Sequence, residues 1–260
     1  MRGLILAFQL LTRLPMPVLR DGGASLGQAQ GPAPTAPPVL RDGGASAQAA
    51  GWFPLVGLVV GALVALPLIF VPDPRLAALL AVLTWVWVTG GLHLDGLSDL
   101  VDALGAAHRD RERFLAVLAD PHVGSFGVMA LVLQLLAKFV LLWLLAESEL
   151  GWLTLLLITA LIAAWARLGA LIWGQTLPSL KPGLGARFAW PGGRWVSRIW
   201  LLTLLVVSAA FAPALLLAPL LLLAWWLFLR VRLGGMSGDC LGAGIEGVES
   251  LLLLAAWSLL

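Results

Sequence analysis

The chain has 260 residues, of which 60% are hydrophobic and 12% charged, and its mean hydropathy is +0.97. A soluble domain carries about 25% charged residues, so this composition excludes a water-soluble globule and predicts an all-α, polytopic integral membrane protein. The net charge of +2 comes from scattered arginines with no basic run interleaved with aromatics, which excludes a nucleic-acid surface, and the single cysteine, Cys240, excludes an intrachain disulfide and a Cys-based zinc cage.

In chain order, the first apolar stretch runs from Leu4 to Leu11 and meets Thr12-Arg13-Leu14-Pro15-Met16-Pro17 without a small-residue cleavage site. It reads as an interfacial helix ended by prolines rather than a signal peptide. Residues 18–51 are rich in Gly, Ala, Pro and Gln and contain a direct repeat, Val18 to Ser25 recurring as Val39 to Ser46. That composition predicts a flexible, low-complexity loop without chemistry. Seven apolar blocks follow, near Phe53–Val71, Leu76–Leu94, Phe126–Ala146, Trp152–Gly174, Val196–Phe211, Ala212–Leu229 and Ile245–Leu260. Six or seven membrane spans result, within a single membrane domain covering residues 1–260. Trp52, Trp143, Trp152, Trp190 and Trp195 fall near the expected span ends, as interfacial anchors do.

Basic residues are distributed unevenly between the loops. Arg20, Arg41, Arg109, Arg111, Arg113, Lys181, Arg187, Arg194, Arg198, Arg230 and Arg232 share one set, while Arg75 is alone in the other with Glu147 and Glu149. The positive-inside rule makes the first set cytoplasmic, including the 18–51 loop.

The sharpest chemical signal is His93-Leu94-Asp95-Gly96-Leu97-Ser98-Asp99-Leu100-Val101-Asp102, which holds three of the nine aspartates. At about 100° per residue, Asp95, Asp99 and Asp102 fall within roughly a 60° arc of one helical face. Three acids packed at a membrane boundary call for a cation. Mg²⁺ suits hard carboxylate oxygens and substrate phosphates, and Gly96 lets a group approach the backbone beside Asp95. A solvated, acidic helix end is the bland alternative.

Further along, Arg109-Asp110-Arg111-Glu112-Arg113 reads as a solvated helix face. Asp120-Pro121-His122-Val123-Gly124-Ser125-Phe126-Gly127 opens a membrane helix, where backbone N–H groups such as that of Gly124 suit a phosphate. Asp120 is either a further ligand or a cap for that helix. His93 is the histidine closest to the aspartates. Lys138 and Arg167 lie inside apolar spans, where pairing with the aspartates or contact with an anionic substrate explains them. Gly234 to Ala243, which includes Gly238 and Asp239, is a second glycine-acid element. Glu246 falls close to the face of Asp239 if the last helix begins early.

With these pieces in place, the chain resembles the cobalamin synthase family, the adenosylcobinamide-GDP ribazoletransferases. The resemblance is carried by Leu11 to Pro17, Phe53-Pro54-Leu55-Val56-Gly57, Gly90 to Asp99, Asp120 to Gly127, Gly183-Leu184-Gly185, and Gly234 to Ala243 followed by Glu246. Two departures stand out. His122 replaces an arginine common in the family, and the repeat within residues 18–46 has no counterpart.

The resemblance implies a Mg²⁺-dependent transferase of phosphorus-containing groups at the cytoplasmic face of a bacterial inner membrane. Adenosylcobinamide-GDP and α-ribazole, or its 5′-phosphate, would give adenosylcobalamin, or its phosphate, and GMP, late in cobalamin biosynthesis. It leaves room for a homo-oligomer and for association with other corrinoid-pathway enzymes. Under this reading Asp95, Asp99 and Asp102 are catalytic: Asp95 and Asp99 hold the metal, Asp102 completes its shell or accepts the ribose hydroxyl proton, and Asp239 with Asp120 holds a second metal or orients the substrate. His93, Asp120, Gly124, Arg167, Lys181, Gly238 and Asp239 contact substrate or phosphate.

Three rival classes share parts of this pattern. A membrane prenyltransferase usually has two aspartate clusters with wider spacing. A CDP-alcohol phosphotransferase has an Ala-Arg pair and later spaced aspartates, both missing here. A transporter is the non-enzyme alternative, but the charged motifs gather on one side rather than at mid-depth.

Overall fold

Helix α1, Arg2–Leu11, turns Leu6, Ala7, Phe8 and Leu11 into the protein interior. The Thr12 hydroxyl closes its end by donating to the carbonyl of Phe8 at 2.7 Å, before the Pro15 and Pro17 stretch. The computed structural model describes residues 2–16, 49–107, 110–180 and 193–259. Nearly all of the 18–51 loop and its repeat lie outside the described residues, as do Arg109, Lys181, Arg187 and Trp190.

The remaining helices are α2 (Phe53–Phe70), α3 (Pro74–Thr89), α4 (Leu92–Ala107), α5 (Arg111–Val117), α6 (Ser125–Glu147), α7 (Trp152–Thr176), α8 (Arg194–Phe211), α9 (Ala218–Phe228) and α10 (Gly238–Ser258). A 3₁₀ turn at Pro213–Leu217 leads into α9, and a wide π turn at Leu229–Leu233 follows it. Together those three pieces make one apolar run of 21 residues, Pro213–Leu233. Among the described residues six helices are long and apolar enough to cross a membrane, and a seventh span arises if α3 and α4 are taken together. The protein is a multi-pass membrane protein.

Two expected spans differ from the sequence reading. The block Leu76–Leu94 does not continue as one helix: α3 stops at Thr89, and α4 leaves at a bend of 87°. Gly90 and Gly91, with φ of 63° and 70°, supply the left-handed backbone for this turn. The last helix starts at Gly238 rather than Ile245, because the Ser237 hydroxyl accepts from Cys240 N–H as an N-cap.

Packing centres on α7, which is buried along most of its length, while α6 shows lipid only apolar side chains such as Val128, Val132, Leu133 and Leu136. Gly57 and Gly61 bring α2 against α7. A Cβ at Gly57 would stand 2.5 Å from the Ala163 carbonyl oxygen, and one at Gly61 would strike that of Thr159. Close approach of small residues is a common way to join helices in lipid, where apolar side chains gain nothing by leaving solvent. Trp52, Trp152 and Trp195 are exposed at helix starts, in keeping with interfacial anchoring.

Candidate active site

Connectivity gathers the start of α10, all of α4 and the entry to α6 at one end of the bundle. Two interlocking contacts join α4 to α10. A Cβ at Gly96 would lie 2.9 Å from the Asp239 carbonyl oxygen, and one at Gly242 would lie 3.2 Å from the His93 carbonyl oxygen. The group that Gly96 admits is therefore the α10 backbone itself. The two acid-bearing motifs, 144 residues apart (239 − 95), meet because each offers a glycine to the other.

Along α4 the three aspartates have different surroundings. Asp95 is exposed, Asp99 is half-buried and Asp102 is buried. Both oxygens of Asp102 accept backbone N–H groups from the start of α6, from Gly124 at 2.7 Å and from Gly127 at 2.8 Å. The sequence reading gave those N–H groups to a bound phosphate and Asp102 to a metal. In the fold they satisfy one another: the anion at this helix start is the protein's own carboxylate. Gly124 and Gly127 have no room for a side chain, since a Cβ on either would collide with the Asp102 carboxylate.

Asp120 does not cap α6. Its Oδ1 accepts from the His122 backbone N–H at 3.0 Å and lies 2.7 Å from His122 Nδ1, out in solvent. These contacts, the backbone one first, hold the Asp120 carboxyl below the usual carboxylate range. Asp239 is half-buried and accepts the Ser237 hydroxyl at 3.1 Å. Gly238 faces open space.

His93 and Arg167 are withdrawn from the expected substrate contacts. His93 precedes Asp95 by two positions, about 160° round the helix, so its ring is buried on the side of α4 away from the acid stripe. Arg167 Nη1 donates to the Ala163 carbonyl at 3.0 Å and pairs with Glu249 Oε1. Lys138 Nζ lies 2.7 Å from Glu246 and 2.6 Å from Glu249, under the ring of Trp85. These four charged residues are no more than 3% exposed, and Gln134 completes the set by donating to Glu246 Oε2 at 2.8 Å. The intramembrane cations thus meet the glutamates of α10, not the aspartates of α4. Lys181 lies outside the described residues.

A cavity of about 470 Å³ opens where α3 bends into α4. Asp95, Ser98, Gly90, Gly91, Val123 and Arg13 are among its walls, and the Ser98 hydroxyl is buried there without a partner among the described residues. Arg13 was not singled out as a site residue from sequence. Its signal was the Leu11–Pro17 motif, which has no obvious chemistry of its own.

Among the described residues no three His, Cys, Asp or Glu side chains are grouped to hold a metal by themselves. That excludes an all-protein cage there. It fits the ordinary habit of Mg²⁺, which takes one or two carboxylates and completes its shell from phosphates and water. Asp95 and Asp99, with Asp239 close by, offer the oxygen-only donors for that role.

The chain matches the family model described as cobalamin-5-phosphate synthase over residues 3–257. It is 56% identical over 262 residues to the adenosylcobinamide-GDP ribazoletransferase of Laribacter hongkongensis, covering 98% of this chain and 96% of the relative. It is 51% identical over 258 residues to the protein of that name from Thiobacillus denitrificans, covering 98% and 95%. Against the one from Novosphingobium aromaticivorans the identity is 50% over 260 residues, covering 98% and 96%. No solved structure matches the chain.

Proposed function

From the premise that this chain belongs to the cobalamin-5-phosphate synthase family, we propose that the cavity at the α3–α4 bend is where it acts as an adenosylcobinamide-GDP ribazoletransferase. The chain joins the adenosylcobinamide-phosphate part of adenosylcobinamide-GDP to α-ribazole or its 5′-phosphate. Adenosylcobalamin, or its phosphate, and GMP are released. The ribose hydroxyl oxygen bonds to the corrinoid-side phosphorus, the bridging P–O bond breaks with its electron pair staying on GMP, and the hydroxyl proton leaves.

The observation that carries this placement is the Gly96–Asp239 and Gly242–His93 interlock, which packs the second acid-bearing motif against α4, the helix whose Asp95 lines the cavity. Asp95 and Asp99 would hold Mg²⁺, with Asp239 assisting. The ion would supply neutralisation of the diphosphate charge. Asp102 fixes the α6 entry against α4, so that Val123 closes one wall of the cavity. His93 and Arg167 support the interior rather than touch substrate.

The site end carries Arg13, Arg111, Arg113, Arg194, Arg198, Arg230 and Arg232, against Arg75 at the other end. This bias favours a cytoplasmic active site in a bacterial inner membrane. The test is purified protein in liposomes with adenosylcobinamide-GDP, α-ribazole 5′-phosphate and Mg²⁺, with cobalamin phosphate and GMP measured by mass. Product is expected. Its absence, with either ribazole form and where the Laribacter relative works, rejects the assignment.

A further inference from the structure

The proposed chemistry leaves the Leu11–Pro17 motif unused, and the fold carries its Arg13 to the cavity. The backbone N–H of Arg13 donates to the Val88 carbonyl at 2.7 Å, tying the segment after α1 to the last turn of α3. The side chain then lies across the α3–α4 turn. A Cβ at Gly90 would stand 2.5 Å from both Cγ and Nε of Arg13, so the left-handed glycine serves two ends, the bend and the bed for this arginine.

Arg13 and Asp95 both line the 470 Å³ cavity, and among the described residues neither forms a salt bridge. Among the described residues they are also its only charged walls. Ser98, whose buried hydroxyl has no partner among the described residues, is a wall of the same cavity. A guanidinium and a carboxylate that share a cavity without pairing suit a ligand that needs both. A metal-bearing diphosphate is such a ligand: its cation takes the carboxylate, and its phosphate oxygens take the guanidinium fork.

Resting on the transferase reading above, we infer that Arg13 binds the GMP-side phosphate of the nucleotide substrate and stabilises it as it leaves. When the bridging P–O bond breaks, its electron pair stays on that phosphate, which gains negative charge. Arg13 meets that charge as it develops, the moment at which a positioned donor contributes to rate. The nucleophile is not its concern, so its effect falls on one substrate only.

The test uses the full-length protein in liposomes. Arg13→Ala is expected to weaken GMP binding, measured by equilibrium dialysis, by about tenfold. It should raise KM for adenosylcobinamide-GDP to a similar extent and lower kcat by about 100-fold, with KM for α-ribazole 5′-phosphate unchanged. Guanidinium chloride at millimolar concentration should restore part of the activity of Arg13→Ala and none to wild type.

Arg13→Lys keeps the charge and the stem over Gly90, and should fall between the two. Gly90→Ala, which displaces the Arg13 stem, should reproduce part of the Arg13→Ala loss. GMP binding as tight in Arg13→Ala as in wild type overturns the inference. So does an equal rise in KM for both substrates without guanidinium rescue. If wild type makes no cobalamin product yet binds GMP in an Arg13-dependent way, the transferase reading fails while the role of Arg13 in nucleotide binding stands.

Discussion

Glu246 and Glu249 sit on one face of α10 inside the bundle, whereas Asp95 and Asp99 sit on α4 at its end, and the two places treat a carboxylate differently. Inside, each glutamate is answered by the protein's own cations, Lys138 and Arg167, in surroundings that are almost wholly buried. Two positive and two negative charges cancel there, which lets ionised groups exist in a hydrocarbon environment. At the end of the bundle Asp95 forms no salt bridge among the described residues and faces a cavity. The inner set is complete as folded, and the outer set suits a charge that arrives with the substrate.

Substitution can break this contrast. The largest effect should come from Glu249→Ala, which leaves Lys138 with Glu246 alone and takes away the Glu249 carboxylate that pairs with Arg167. Loss of one partner from a buried ion group costs about 3–5 kcal/mol. Thermal unfolding in detergent and the yield of inserted protein would register it. Stability close to wild type would mean that the inner set is not held by its own charges.

Asp95→Asn should do the reverse. Unfolding temperature is expected to stay put while GMP release drops by about 100-fold and the Mg²⁺ concentration for half-maximal activity rises. Full GMP release from a normally inserted variant would remove Asp95 from the outer set.

Asp102→Asn sharpens the boundary between the two sets. An amide offers one acceptor oxygen where Gly124 and Gly127 need two, so stability should fall by about 1–3 kcal/mol. Activity should fall with it, while the Mg²⁺ half-saturation point stays at the wild-type value. A large shift in that point would return Asp102 to the metal.

The smallest effect concerns Asp120, at the solvent edge. Its carboxyl is held below the ordinary range by the His122 N–H and ring. A depressed folded value contributes stability above the unfolded value, which is lost as pH falls through the folded one. Asp120→Asn should therefore remove a slight acid-side loss of stability, visible in unfolding temperatures taken from neutral pH downward. An unchanged profile would show that the exposed pair contributes nothing.

The spans were legible because lipid demands long apolar helices, and hydropathy reads that demand directly. Helix periodicity likewise placed Asp95, Asp99 and Asp102 on one stripe. It could not say what each would face, since the partners of Asp102 come 22 and 25 residues later, at Gly124 and Gly127. The start of α10 was hidden by its glycines, which read as a turn. In the fold Gly242 and Gly244 are helical glycines pressed against His93 and the rings of Trp173 and Trp225. Lys138 and Arg167 were rightly taken to need anionic partners. The pairing with Glu246 and Glu249 depends on how three helices pack, and no local pattern encodes that. Arg13 was hidden for a similar reason: only the Val88 contact brings it to the α3–α4 turn.

The bend at Gly90–Gly91 also bears on the membrane itself. Helix α3 has 16 residues, about 24 Å at 1.5 Å each, while the hydrocarbon layer is about 30 Å thick. The α3–α4 pair therefore covers the layer, if it crosses it, by a bent path rather than by one straight helix. A short or bent segment is accommodated at a cost that depends on bilayer thickness, so activity in liposomes of different acyl-chain length reads out what this bend does.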